Sequence, residues 1–330
     1  MIYLGEQLYA LSEYSKEATC WLGLKIKGRL TSSNLSGYNC GDTTCTYCTG
    51  NGKKRSGLDQ DFIDLFTTAI IKEIISAKPQ RLLNIYQDLL AKYLVKRGKS
   101  ELLFKANGKR LFINSGYTDW FLKDKRNYRL AKLLDQHTCT YCNREYIFIY
   151  KNNNGGKGMV PQFDHWFAKT DYPILGLSFY NLVPSCATCN TIKSSTPFNL
   201  ADHLHPYIDK SISSSYIFSF LPTTTNTNKI IFKNKSPFNQ KGIDTVNALN
   251  LPLIFEGHSS KELQDLIDLK YKYSENYLNI LLKKTFGNLN ISKNEMFRLI
   301  FGIEIDEENY HKRILSKFKN DIIEQLRNIK

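Results

Sequence analysis

The chain has 330 residues and a formal charge of +14, from 45 Lys/Arg against 31 Asp/Glu, with 42% hydrophobic, 13% aromatic and 23% charged residues. That is ample apolar material for a packed core and too little charge for a disordered chain, and the length suits two or three structural regions rather than one small motif. No apolar run approaches the roughly 18 residues of a membrane span, and the opening MIYLGEQLYALSEY carries Glu6 and Glu13 where a secretion signal needs a basic end and an apolar stretch; a soluble cytoplasmic protein with no membrane partner is expected.

In chain order, residues 1–57 form an N-terminal segment holding four of the eight cysteines, Cys20, Cys40, Cys45 and Cys48. Residues 58–135 read as a basic helical region. Apolar positions recur at helical spacing over 59–77, which stops before Pro79, and over 80–97, which stops at Gly98; a third helix over 119–135 leads into Cys139. A cysteine-rich centre follows over 136–210. There EYIFIYK (145–151) is strand-like, NNNGG (152–156) is a turn and GMVPQFDHWF (158–167) is again extended, a β-hairpin signal; LSFYNLV (177–183) reads as a further strand, and a helix begins at Ala187. Over 211–330 come strands at 215–222 and 229–234, then helical patterns at 261–285, 292–302 and 307–329. The fold class expected is α+β, a small cysteine-framed centre flanked by mainly helical N- and C-terminal regions.

The positive charge is uneven. Residues 1–135 carry 22 basic and 13 acidic side chains, residues 136–210 carry 6 and 5, and residues 211–330 carry 17 and 13. The density peaks over 92–132, where 12 Lys/Arg face only Glu101, Asp119 and Asp124 and are interleaved with seven aromatic residues. This is a candidate polyanion surface, with solvated helix faces as the plainer reading.

Six cysteines fall into three Cys-x-x-Cys pairs, Cys45/Cys48, Cys139/Cys142 and Cys186/Cys189. Without a secretion signal such pairs point to metal thiolates more than to disulfides, and tetrahedral zinc needs two pairs brought together. Cys139, Cys142, Cys186 and Cys189 suit one structural zinc site. Cys20, Cys40, Cys45 and Cys48 would close a second, or remain buried thiols. The Cys45-Thr46-Tyr47-Cys48 run echoes Cys139-Thr140-Tyr141-Cys142.

Between and after the central pairs lie Asp164-His165, Asn181, Asn190 directly after Cys189, and Lys193. An adjacent acid and imidazole, with a further oxygen ligand on a zinc-anchored helix, is what a one-metal phosphodiesterase needs: oxygen ligands for the ion and a base for the water. The runs CTYC (139–142), FDHWF (163–167), YNLVPSC (180–186) and CATCNTIK (186–193) resemble the HNH endonucleases, of the ββα-metal class with a treble-clef-like zinc frame. The chain length and the tail RILSKFKNDIIEQL (313–326) are also similar to HNH effectors of prokaryotic phage-defence systems, such as Septu-type and retron-associated nucleases.

The resemblance implies that 136–210 is an HNH nuclease core cutting DNA. His165 would be the general base, Asp164 and Asn190 would hold a catalytic Mg²⁺ or Mn²⁺, and Asn181 would orient the imidazole through its backbone. A strict strand would point Asp164 and His165 to opposite faces, so they are expected at a strand end or bulge. Lys193 reads either as a contact to the scissile phosphate or as a solvated helix lysine. His203 and His205 read as auxiliary metal or phosphate contacts, or as structural hydrogen-bonding groups. Lys123, Lys125, Arg126 and Arg129 are the expected phosphate contacts, since the core itself is nearly neutral. The alternatives are a catalytically degenerate zinc-framed subunit for nucleic-acid binding or assembly, and an RNA-cutting toxin. No Gly-rich phosphate loop with Lys is present, so a controlling ATPase or other defence subunit would be a separate chain.

Overall fold

The first element of the computed structural model is one that the sequence pattern did not mark. Helix α1 (Leu8–Lys27) buries Tyr14, Ala18, Cys20, Leu22 and Ile26 and ends on Lys25 and Lys27, whose charges suit a helix C-terminus. The structure describes residues 1–28, 38–48, 54–150, 158–194, 196–210, 212–223, 227–235, 240–272, 280 and 292–328. The expected helix over 59–77 is two, α2 (Gln60–Asp64) and α3 (Thr68–Ser76), because the Thr67 side chain accepts from Ile70 N and starts a new helix after the buried Phe66. Helices α4 (Pro79–Leu94) and α5 (Glu101–Gly108) follow; Pro79 opens α4 and the Ser100 side chain caps α5.

The third expected helix also differs. Lys109–Lys123 winds as a wide π-type helix, and a break at the left-handed Lys125 separates it from α6 (Arg126–Leu134). Wide turns of this kind displace side chains from ordinary helical positions, and here they carry Tyr117 toward the centre of the molecule.

The centre is built on strand β1 (Gln162–His165), which pairs antiparallel with β2 (Leu182–Ser185), Asp164 opposite Val183 and His165 opposite Leu182. Helix α7 (Ala187–Lys193) follows directly. The expected hairpin partner of β1 is therefore corrected. Of the expected hairpin the described residues keep one antiparallel bridge between its two arms, Tyr150 with Met159, while Tyr146 bridges Thr138 instead. Within the strand expected over 177–183, Phe179–Asn181 turn as a short 3₁₀ segment and β2 starts only at Leu182. The turn read at 152–156 lies outside the described residues.

A second antiparallel pair, β3 (Tyr216–Pro222) and β4 (Asn228–Asn234), follows the short α8 (Ile212–Ser215), as the alternation predicts. Helices α9 (Lys241–Ala248), α10 (Leu251–Glu256), α11 (Gln264–Lys272), α12 (Lys293–Phe301) and α13 (Ser316–Asn328) complete the α+β chain. The predicted helical stretch beyond Lys272, over 273–279 and 281–285, lies outside the described residues. One cluster of buried apolar side chains takes members from all four stretches distinguished in the sequence, from Met1 to Leu326. Among the described residues no helix is long and apolar enough to cross a membrane.

Three of the four expected phosphate contacts have carboxylate partners within the chain. Arg126 Nε lies 3.0 Å from Glu17, and its guanidinium sits 5.9 Å from the Trp120 ring centre. Arg129 reaches Glu17 at 2.9 Å, Glu13 at 3.4 Å and the Tyr47 hydroxyl at 3.0 Å. Lys123 pairs with Asp119 at 2.7 Å. The two arginines fasten α6 to α1, whereas the Lys123 pair stays within its own helix; side-chain charge counts do not distinguish such roles from phosphate binding.

Glu17→Ala removes the carboxylate that both arginines share. A partly exposed pair contributes up to about 1 kcal/mol, so the melting temperature should fall by about 2–3 °C at low salt, and the difference should shrink in about 1 M salt, where screening acts over about 3 Å. An unchanged melting temperature at low salt would mean that the arginines do not fasten these helices.

Candidate functional site

The four sulfurs of Cys139, Cys142, Cys186 and Cys189 come together although 43 residues separate the two pairs. All four residues are buried and their Sγ atoms lie within 4.8 Å of one another, with Cys142 and Cys186 4.0 Å apart. A tetrahedron of about 2.3 Å zinc–sulfur bonds has edges of about 3.8 Å, so this group could hold zinc. Backbone amides turn toward the sulfurs, Arg144 N to Cys142 Sγ and Cys189 N to Cys186 Sγ, both at 3.4 Å, and the first favours the thiolate form of Cys142. Cys186 caps α7, so the helix starts at the metal frame.

The second group is brought together as well. Cys20 from α1 meets Cys40, Cys45 and Cys48, again within 4.8 Å, with Cys20 3.5 Å from Cys45 and 3.1 Å from Cys48. It could hold a second zinc. Cys20 is buried while the other three are half-buried, so this site lies nearer the surface than the first.

Asp164 and His165 line one cleft, together with Tyr117, Phe163, Ala168, Lys169, Thr170, Asn190, Thr191 and Ser194, around about 410 Å³. Both can do so because His165 is the last residue of β1, where the alternation of the strand ends.

The Asp164 carboxylate is held from both halves of the cysteine frame. Tyr141, between the first two cysteines, donates its hydroxyl to Oδ2 at 2.6 Å, and Lys193, at the end of α7, brings its ammonium to 3.2 Å from the same oxygen. No other side chain reaches this carboxylate among the described residues, though the His165 backbone N–H also donates to it. Burial pushes the Asp164 carboxyl up, and Lys193 and Tyr141 oppose that shift. Burial likewise pushes the Lys193 ammonium down.

Lys193 is the first correction to the expected site. Its side chain is 0% exposed and its Nζ donates to the His165 carbonyl at 2.8 Å, so it braces β1 from behind rather than facing a substrate. Asn181 is the second. Its side chain closes the 166–181 loop, accepting from Phe167 N at 2.6 Å and donating to Leu175 O at 3.0 Å. The carbonyl that holds the His165 ring belongs to Gly176, 3.0 Å from Nε2. A carbonyl only accepts, so Nε2 carries the hydrogen and Nδ1 is the basic nitrogen. Tyr117 packs edge-on against the ring at 4.4 Å and donates to Phe163 O at 2.7 Å. Burial, with Lys169 and Lys193 adding to it against the Gly176 hydrogen bond, pushes His165 down to about 3, so the ring is neutral at any ordinary pH.

Asn190 donates Nδ2 to Gln162 Oε1 at 2.6 Å, and its Oδ1 accepts no hydrogen bond among the described residues. His203 stacks on Phe198 at 4.3 Å, and His205 is buried 4.5 Å from the Trp166 ring, so both serve the loop and not the cleft. Lys125 is exposed at the start of α6. The sequence reading missed Tyr141, Tyr117 and Gly176; only Tyr141 left a signal, in the repeated Cys-Thr-Tyr-Cys run. Comparison with protein-family models, with curated proteins and with solved structures finds no match to this chain.

Two measurements follow from this geometry. Wild-type protein should hold two zinc ions and Cys45→Ser one, whereas Cys139→Ser or Cys186→Ser should not fold, because a structural zinc contributes roughly 10–16 kcal/mol. One zinc in the wild type would remove the second site. Separately, Lys193→Met should destabilise the chain by about 3–5 kcal/mol, since it leaves a buried carboxylate unpaired, and Asp164→Asn added to it should recover most of that loss. No recovery in the double variant would show that the two side chains are not coupled.

Proposed function

We propose that this chain is a metal-dependent endonuclease that hydrolyses DNA phosphodiester bonds. The observation that supports this reading is that Asp164, His165 and Asn190, carried on an antiparallel pair and a helix pinned by four cysteines, line a single cleft. The oxygen donors suit a hard cation, since Asp164 Oδ1 and Asn190 Oδ1 are both acceptors not used by other side chains among the described residues. A Mg²⁺ or Mn²⁺ bound by these two residues would stabilise charge on the phosphate oxygens in the transition state. His165 Nδ1 takes the proton of the attacking water while Gly176 holds the ring by Nε2. Tyr141 and Lys193 favour the ionised form of Asp164 against its burial and aim the carboxylate. By the resemblance to phage-defence HNH effectors, the chain acts as the nuclease of a prokaryotic antiviral system beside a separate regulatory subunit such as an ATPase.

One observation favours a second reading. The Lys193 ammonium already neutralises Asp164, as expected of a zinc-framed binding or assembly subunit whose cleft has lost its metal. Nicking of supercoiled plasmid in Mg²⁺ or Mn²⁺, run beside digestion of tRNA, separates these readings and the RNA-cutting one.

His165→Ala and Asp164→Ala should abolish nicking with zinc content retained, and Asn190→Ala should raise the divalent concentration needed. Tyr141→Phe should lower the cleavage rate about 10-fold or more, in line with the roughly 1.5–3 kcal/mol of a hydrogen bond to a charged group. Cleavage by His165→Ala at the wild-type rate would overturn the assignment of the base.

A further inference from the structure

The cleft does not end at its own rim. A second hollow of about 400 Å³ is lined by Leu102, Lys105, Ala106, Lys109, Ile113, Lys169, Thr170 and Pro173. Lys169 and Thr170 belong to both linings, so the two hollows adjoin at these residues. The charge of the second hollow has one sign. Three lysines line it and no acidic residue does. Lys105 pairs along its own helix with Glu101 at 2.8 Å, while Lys109 and Lys169 have no carboxylate partner among the described residues. The Lys169 ammonium lies 5.9 Å from the ring centre of Tyr117, the same ring that packs against His165. Lys105 and Lys109 stand four residues apart at the junction of α5 and the π-type helix, about 6 Å of rise, comparable to the step between consecutive phosphates along a nucleic-acid strand. Between them the floor is apolar, with Ala106, Ile113, Pro173 and the 80% exposed Leu102, a surface that suits sugar and base faces.

We propose that Lys105, Lys109 and Lys169 bind the sugar–phosphate backbone of the nucleic-acid strand leading away from the cleft, with Lys169 on the phosphate next to the scissile one. The proposal rests on the nuclease reading for its direction, since adjacency to the cleft is what favours a nucleic acid over an acidic protein. It also moves the phosphate contacts away from Arg126 and Arg129, whose charges are already met by Glu13 and Glu17.

The test is fluorescence anisotropy on the full zinc-loaded chain without added Mg²⁺ or Mn²⁺. Labelled single-stranded and duplex oligonucleotides and a polyglutamate peptide are titrated across a salt series. The three lysines are at the surface or half-buried, so Lys105→Ala/Lys109→Ala/Lys169→Ala should fold, with an unchanged melt and zinc content as the control. Each phosphate contact contributes about −0.7 to the slope of log K against log salt on a single strand and about −0.9 on a duplex, so the triple variant should flatten the slope by about 2. Lys123→Ala/Lys125→Ala should leave it within error. An unchanged slope in the triple variant overturns the proposal, and so does a loss confined to polyglutamate, which would make the hollow a docking site for an acidic protein. A wild-type chain that binds neither oligonucleotide also overturns it. Plasmid nicking by the same preparations separates the two layers. Lysine-dependent binding with no cleavage in any divalent ion removes the nuclease reading and keeps the track, whereas cleavage with a lysine-independent slope does the reverse.

Discussion

The structure depends on one buried tetrahedron of sulfurs. Cys139 and Cys142 sit on a turn after α6, and Cys186 and Cys189 open α7, so a metal joining them would fix two segments that share no continuous secondary structure. What that junction positions is Asp164. Its carboxylate accepts from Tyr141, which rides on the first cysteine pair, and from Lys193, which rides on the helix of the second. A carboxylate this buried, 4% exposed, would otherwise shed its charge by taking up a proton. The cysteine frame therefore carries the two groups that oppose protonation of Asp164, as well as shaping the cleft.

The same device recurs at the second cysteine group with another output. Tyr47 occupies the place in its Cys-Thr-Tyr-Cys run that Tyr141 holds in the first, and its hydroxyl meets Arg129 instead of an acid. Arg129 in turn reaches Glu13 and Glu17 on α1, the helix that supplies Cys20. One run is thus joined to the cleft and the other to the packing of α1 on α6.

Which parts of this were legible in the sequence follows from the range of each interaction. Cysteine spacing, the helix stop before Pro79 and the β3–β4 alternation are local, and the structure has them where the pattern put them, with small shifts at the ends. Strand pairing is not local: β1 matched Leu182–Ser185 rather than the nearer extended stretch at 145–151, because the intervening loop folds back through Asn181. Helix α1 was missed because it is apolar around much of its circumference, buried by α3, α6 and the second cysteine group, and so lacks the one-sided stripe that marks a surface helix. Lys193 was misread for a related reason. Lysine on a short helix is ordinarily solvated, and only the fold reveals that α7 turns this one inward onto Asp164.

The neutral state of His165 bears on how such a cleft would work. A ring pushed down to about 3 is wholly in its basic form at neutral pH but holds a proton weakly. Part of that depression comes from Lys169 and Lys193. Lys193 is committed to Asp164, whereas Lys169 stands at the surface with no carboxylate partner among the described residues. An anionic phosphate arriving beside Lys169 would offset its field at the imidazole and raise the proton affinity of Nδ1, while the Gly176 carbonyl continues to stabilise the protonated ring.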